Sequence, residues 1–417
     1  MYPASKLQTV SDENAGRAAI LGLGSTFPNM YTQDEVCASL EKHYKFDEDT
    51  LPFMRRVFAA TKFESVACAA TPEELGKRMT RTEYVKYIKS NLREMGARAA
   101  REALEAWGGD KSEITHIVWG TMTQSIHAPT MDIDLCKELG LEPSVQRLNI
   151  EGMGCLTGYR CLGLGRSLAE SSPSARVLVV VSDIRSALMN QMPEYPNRAS
   201  LVCAALFRDS AGAAVLGQHR GLKTSEKPIY TVMNHQSFLI PDTYEHVSLT
   251  ETDNSEILLD ISKQVPIAVG KHVGEFLRKV AAGFDVDLSK AAYSLHTGGP
   301  KVVKTVAAEL GLPSDGELAC MASWKVMNKY GNLSGSSNLV VLHHQYKMEK
   351  EIQAAGGPTG QDVVCLSFGP GLAMEGLLLK RYEVEDKDGK LAPAVVWGNA
   401  NSSPLTPAAP AVAAAGV

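Results

Sequence analysis

Aromatic residues make up only 6% of this 417-residue chain, and neither sign of charge dominates it. No apolar run approaches the roughly 20 residues needed to span a membrane. Each shortage closes off a class of function. The formal charge of −5 leaves no general field for nucleic acid or an acidic membrane surface, although a local basic patch for an anionic ligand is not excluded. CxxC pairs are absent, and so is any Cys/His cluster with zinc spacing, which argues against a metal site. The eight cysteines are scattered singly, as expected in a reducing compartment. Met1–Arg17 is polar and lacks the apolar centre of a signal peptide, so a soluble, cytoplasmic chain without membrane insertion is expected.

What is present is ordinary globular composition, 44% hydrophobic and 21% charged, over a length that calls for two packed halves. Ala18–Gly24, Ile114–Gly120 and Val177–Val181 are short apolar runs that predict strands covered on both faces, and Ala211–Gly217 predicts another. Thr80–Trp107 predicts a long helix stopped by Gly108-Gly109. A second series of similar order begins near Pro228, with strands at Ile229–Gln236, Ala291–His296, Val363–Ser367 and Leu372–Leu379. Helices are expected between them at Val265–Ala282, Lys301–Leu310 and Leu333–His344. Strands alternating with helices predict a parallel α/β architecture. The expected divisions are an N-terminal arm (1–16), a first half (17–225), a second half (226–385) and an Ala/Pro-rich tail without periodicity (386–417).

Cys155 stands in Leu148-Asn-Ile-Glu-Gly-Met-Gly-Cys-Leu-Thr-Gly158, where a strand-like run ends in glycines and a helical stretch begins. A thiol at a helix N-terminus meets unpaired backbone N–H groups and the positive end of the dipole, both of which favour a nucleophilic thiolate. His296 lies in Tyr293-Ser-Leu-His-Thr-Gly-Gly-Pro300, at the end of an expected strand. Asn332 lies in Tyr330-Gly-Asn-Leu-Ser334, before an expected helix, where an N-cap would account for it alone. Phe368-Gly-Pro-Gly371 reads as a tight loop between strands. Taken singly, each has a structural explanation. A buried cysteine, a satisfied histidine, a cap and a turn are all common.

In this order the motifs resemble the type III polyketide synthases, the chalcone synthase-like enzymes of the thiolase fold. The resemblance rests on Gly154-Cys155, His296-Thr-Gly-Gly-Pro300, Gly331-Asn332-Leu-Ser334 and Ser367-Phe-Gly-Pro-Gly371, and it extends through Ala205-Leu-Phe-Arg-Asp209. It implies a five-layered αβαβα fold of two similar halves and a homodimer. Cys155 would carry the acyl group from an acyl-CoA starter, with His296 pairing the thiolate. His296 and Asn332 would hold the enolate formed when malonyl-CoA loses carbon dioxide. No cofactor is implied beyond the CoA thioesters themselves. Phe207 and Phe368 match gatekeeping phenylalanines, Asp209 a structural acid, and Arg55, Arg56, Lys62 and Lys301 the region that meets CoA phosphates. Cyclisation to a pyrone, a resorcinol or a phloroglucinol-type ring would follow.

Departures from the family pattern fall mainly on the cavity, whose expected lining positions read Thr123, Arg185, Leu188 and Ser334. A buried arginine must find an acid, reach water, or bind a substrate carboxylate or enolate. Leu188 makes one wall more apolar, and Ala128 leaves room where a partner subunit's methionine enters the plant enzymes' cavity, which favours a fatty acyl starter. Thr297 replaces the common proline, and Ser367 the usual glycine. The whole pattern fits a fungal, algal or other microbial branch better than a plant one. Initiating ketoacyl-carrier-protein synthases share the Cys, His and Asn but carry His-Gln-Ala-Asn, where this chain has His-Thr-Gly-Gly. Hydroxymethylglutaryl-CoA synthases need a glutamate base, and the Phe-Gly-Pro-Gly loop points away from them. A silent scaffold would have no need of all three polar residues.

Overall fold

The computed structural model describes residues 14–123, 128–252 and 256–382, so most of the expected arm and the whole of the expected tail lie outside it. The first half contains β1 (Ala18–Thr26), β2 (Asn29–Tyr31), α1 (Gln33–His43), α2 (Thr50–Thr61), β3 (Val66–Cys68), α3 (Arg81–Trp107) and β4 (His116–Thr121). It continues with α4 (Met131–Leu139), β5 (Gln146–Glu151), α5 (Thr157–Glu170), β6 (Arg176–Ile184), α6 (Arg198–Leu206) and β7 (Asp209–Gln218). The second half opens with β8 (Tyr230–Leu239), β9 (Val247–Glu251), β10 (Ile257–Ile261), α7 (Val265–Ala281) and β11 (Ala292–Leu295). It closes with α8 (Pro300–Glu309), α9 (Met321–Tyr330), α10 (Ser337–Lys347), α11 (Glu349–Ala354), β12 (Asp362–Gly369) and β13 (Ala373–Arg381).

Local chemistry explains the longest of these. Thr80 caps α3 by accepting from the Glu83 backbone while Glu83 returns a bond to Thr80, and Gly108 ends the helix in the left-handed conformation. Among the described residues, nine strands form one sheet in the order β11-β12-β13-β8-β1-β7-β6-β4-β5. The pairing is symmetric about the antiparallel β8·β1 contact. Moving outward on either side come two antiparallel pairs and then a parallel one, β8·β13, β13·β12 and β12·β11 against β1·β7, β7·β6 and β6·β4. Two similar halves therefore meet at their first strands.

The expected parallel arrangement holds only at the outer edges of the sheet, at β11·β12, β6·β4 and β4·β5. The loop between β12 and β13 has just three residues, Pro370 to Leu372, and so short a connection can join only antiparallel neighbours. Helix α3 packs on β1, β6 and β7, and α7 packs on β8 and β13 with α8 beside it. Between the half-sheets lie α5 and α10, which touch each other and strands of both halves. The result is the expected five layers, with a separate apolar core on each side of the buried central pair.

Candidate active site

Both central helices begin at one place, and the site is built there. After β5 the chain turns through Gly152 and Gly154 into a short 3-10 turn, Gly154–Leu156, and then α5. Gly154 has φ 61°, and a side chain on it would run into the Pro370 ring. Only glycine lets the Phe368-Gly-Pro-Gly371 loop close over the nucleophile. Asn338 Nδ2, on α10, donates to the Cys155 carbonyl at 3.0 Å and ties the second half to the turn. Cys155 keeps partial exposure and lines a cavity.

His296 follows β11, its backbone N–H donating to the Leu366 carbonyl at 2.9 Å. Its Nδ1 lies 2.7 Å from Ser337 Oγ. That hydroxyl has one hydrogen, and its shortest acceptor is the Ser334 carbonyl, also at 2.7 Å. Nδ1 must then carry the proton it shares with Ser337, which leaves Nε2 as a free acceptor. Burial holds the imidazole neutral by lowering its pKa to about 3. Asn332 follows α9 and Gly331, whose φ is 85°. Its backbone is clamped by Leu206 (3.0 Å) and Arg208 (2.8 Å), which sets it beside Phe207. Its side-chain oxygen accepts from the Ser334 N–H at 2.9 Å, and its Nδ2 donates to no described residue.

These three side chains line one cavity of about 90 Å³ together with Phe207, Phe368, Ser334 and Arg185. Burial pushes the Cys155 thiol up to about 12; Arg185 and a hydrogen bond from Ser334 pull against it, and Asp183 adds to it. Burial thus works against both charged forms in this enclosed place, and the neutral imidazole is a base.

Other expected residues are distributed less simply. Thr123 is buried but does not line the cavity. Its hydroxyl accepts from the Ile184 N–H at 2.8 Å, and Met122 takes the place on the wall. Leu188 lines a separate recess of about 10 Å³ that shares Leu259 with the main cavity. Asp209 accepts from the Ala69 and Ser186 N–H groups, both at 2.7 Å, and so anchors loops. Arg55 is exposed and held by Glu41 through bonds of 2.7 and 2.8 Å, while Arg56 lies over the Phe53 ring at 5.7 Å. Lys62 is an exposed left-handed cap on α2. Of the four expected CoA cations, only Lys301 is next in sequence to a cavity residue, Val302.

The β9–β10 hairpin was not anticipated, yet Val247, Leu259 and Ile261 from it form an apolar side of the cavity. Alternation in Val247-Ser-Leu-Thr-Glu251 was the available signal. Among the described residues no cluster of three or more metal-ligating side chains occurs, and no helix is long and apolar enough to cross a membrane.

Comparison with known proteins gives the same outline. Residues 5–220 match the model of the N-terminal domain of chalcone and stilbene synthases, and residues 231–382 match that of their C-terminal domain. The chain is similar to the C-terminal type III polyketide synthase domain of Steely1, a type I/III hybrid from Dictyostelium. Identity is 25%, the TM-score 0.76, and the match covers 88% of this chain and 99% of that one. A type III pentaketide synthase from Neurospora crassa is 22% identical at a TM-score of 0.78, with 88% and 100% covered. CsyB, solved in complex with CoA-SH, gives the same four values. At these two identities the likeness concerns the fold.

Proposed function

The chain belongs to the chalcone and stilbene synthase family and is a type III polyketide synthase, and on that premise we propose how its own residues carry the reaction. The observation that carries the proposal is the common cavity of Cys155, His296 and Asn332, with Nε2 and Nδ2 both unspent. In loading, neutral His296 takes the Cys155 proton at Nε2 as the sulfur attacks the carbonyl of an acyl-CoA. The C–S bond to CoA breaks, and the departing thiolate recovers that proton, leaving the acyl group on Cys155. Malonyl-CoA then loses carbon dioxide, and the electron pair of the broken C–C bond becomes an enolate. The Nδ2–H of Asn332 can donate to its oxygen in any protonation state, whereas His296 donates there only when Nε2 is protonated. Attack of the enolate carbon on the Cys155 thioester forms the new C–C bond and frees the sulfur.

Phe207 and Phe368 supply the dry, apolar surroundings in which a carboxylate is least stable, which favours loss of carbon dioxide. CoA thioesters are the only cosubstrates in this scheme, which calls for no metal or redox cofactor. Lys301, at the start of α8 beside the cavity wall, is the first candidate for the CoA phosphates, and Lys62, Arg56 and Arg55 are more distant ones. Starter length is set by the wall at Leu259, whose truncation would join the cavity to the recess under Leu188. The chain is further proposed to work as a homodimer; Ile133 and Met153 leave 43% and 40% of their surface exposed.

Mass spectrometry of products from malonyl-CoA and acyl-CoAs of increasing length tests the scheme. Pyrones, resorcinols or phloroglucinol-type products absent from Cys155→Ala support it. Turnover only with an acyl carrier protein would place the chain among the other condensing enzymes.

A further inference from the structure

We infer that Arg185 is a recognition residue for an oxyanion carried by the acyl group on Cys155, two oxygens that share one negative charge. The inference rests on the polyketide synthase reading and adds a substrate class to it. Arg185 follows β6, is only 4% exposed, and stands in the wall of the cavity that holds Cys155. Among the described residues its guanidinium donates one bond, from Nη1 to the Met122 carbonyl at 3.2 Å, and it lies over the Phe207 ring at 5.9 Å. Nε is buried and has no hydrogen-bond partner among the described residues. Among the described residues no carboxylate lies within ion-pair distance of it.

Asp183 is the acid closest in sequence, but its oxygens are already taken. One accepts from the N–H groups of Met122 (2.7 Å) and Thr123 (3.2 Å) and from the Thr121 hydroxyl (3.1 Å). The other accepts from the N–H groups of Gly335 (2.9 Å) and Ser336 (3.3 Å). Asp183 therefore acts on Arg185 only as a nearby charge and not as a bonded pair, and the rest of this wall is largely apolar, with Met122, Phe207, Leu259 and Phe368. A ligand that brings two acceptor oxygens would engage the planar fork of donors in the way a carboxylate does.

The malonyl carboxylate is a poor candidate. It leaves as neutral carbon dioxide, so a cation on it would hold the ground state more tightly than the transition state. Two anions persist instead. One is the terminal carboxylate of a dicarboxylic starter; the other is the enolate of a β-diketone, formed once the chain has been extended.

The test compares the full-length protein with Arg185→Met, Arg185→Lys and Arg185→Gln. Loading of Cys155 from succinyl-CoA and from butyryl-CoA, its neutral counterpart of equal length, is followed by intact mass. Product length is then measured with butyryl-CoA and malonyl-CoA. A wild-type preference for succinyl that falls roughly 10- to 100-fold in Arg185→Met, and less in Arg185→Lys, identifies a starter carboxylate. Equal loading of the two esters, with products that shorten in Arg185→Met and Arg185→Gln, identifies the β-diketone enolate. Folded variants that change neither the ratio nor the product length overturn the inference. A wild-type protein that acylates Cys155 from no CoA ester overturns the polyketide reading first, and this inference with it.

Discussion

Two arginines stand at opposite ends of one strand, equally buried and oppositely treated. Arg176 opens β6 at 3% exposure, and Arg185 follows its last residue at 4%. The first is saturated: Nε and Nη2 grip Glu226 at 2.7 and 2.6 Å, and further bonds reach the carbonyls of Pro173, Ala175 and Gly221. Among the described residues the second has one bond of 3.2 Å and an Nε without a partner. A folded chain satisfies its buried charges where it needs them for structure, so an unsatisfied one marks a place kept for something else. Asn332 Nδ2 and His296 Nε2 belong with Arg185 in this respect, and all three open on the same cavity.

The largest expected effect breaks the comparison through stability. Replacing Arg176 by Met leaves Glu226 buried and unpaired, at an expected cost of about 3–5 kcal/mol. Arg185→Met removes a charge that forms no ion pair with a described carboxylate, although it helps hold down buried Asp183, and is expected to cost clearly less. Melting curves of the two variants decide the matter, and equal losses would mean that Arg185 is structural after all. Next in size is Asn332→Ala. Removal of one oxyanion donor typically lowers the rate about 10²–10³-fold. The loss should fall on release of carbon dioxide from malonyl-CoA, while acylation of Cys155 continues. An equal loss in acylation would show that Asn332 shapes the cavity as a whole.

How much of this could be read from the chain follows the same division. Strands buried on both faces and the capping box at Thr80 leave local patterns, and these elements lie within a few residues of their expected bounds. The motif order placed Cys155, His296 and Asn332, and two of its glycines have a steric reason: Gly154 lies against Pro370 and Gly331 against Arg208, both with positive φ. Sheet direction was misread, since alternating strands and helices look alike whether or not β7 and β13 return antiparallel. Thr123 was assigned to the cavity although its hydroxyl serves the Ile184 backbone, a choice that depends on one residue's rotation. The charge state of Cys155 was also out of reach. Sequence shows a helix start and a histidine, but not the burial that raises the thiol and lowers the imidazole.

Acid sharpens the comparison further, because arginine does not titrate and its partner does. Burial raises Glu226, but bonds from Arg176, the Lys223 N–H and Trp107 outweigh it and hold the carboxyl below its ordinary 4.5. Its contribution is complete above pH 4.5 and is lost as pH falls below that value. The destabilisation in Arg176→Met should therefore shrink below pH 4.5, where the unpaired Glu226 can protonate. The effect of Arg185→Met, which removes one of several groups holding down Asp183, should change less. Buried histidines add a separate slope in both proteins. Burial lowers His296 to about 3 and His219 and His344 to about 4, against an ordinary 6.5. The unfolded chain takes up these protons first, so stability is complete above pH 6.5 and falls as pH drops from there toward 4. Denaturation midpoints measured from pH 7.5 to 4 give both slopes, and parallel losses for the two arginine variants would sink the distinction.

The smallest effect lies where the two treatments meet. Ser337 is itself satisfied, donating to the Ser334 carbonyl, yet it accepts from His296 Nδ1 and so keeps Nε2 unsatisfied. It acts on the reaction only by holding the imidazole in one tautomer. Ser337→Ala forfeits a neutral hydrogen bond of about 1 kcal/mol, which corresponds to a fall of roughly fivefold in Cys155 acylation. The fall should appear in kcat with KM for the CoA ester unchanged, and Ser337→Thr, which keeps the hydroxyl, should recover most of it. A change in KM alone, or no recovery by threonine, would mean that Ser337 supports the cavity wall and that His296 chooses its tautomer without it.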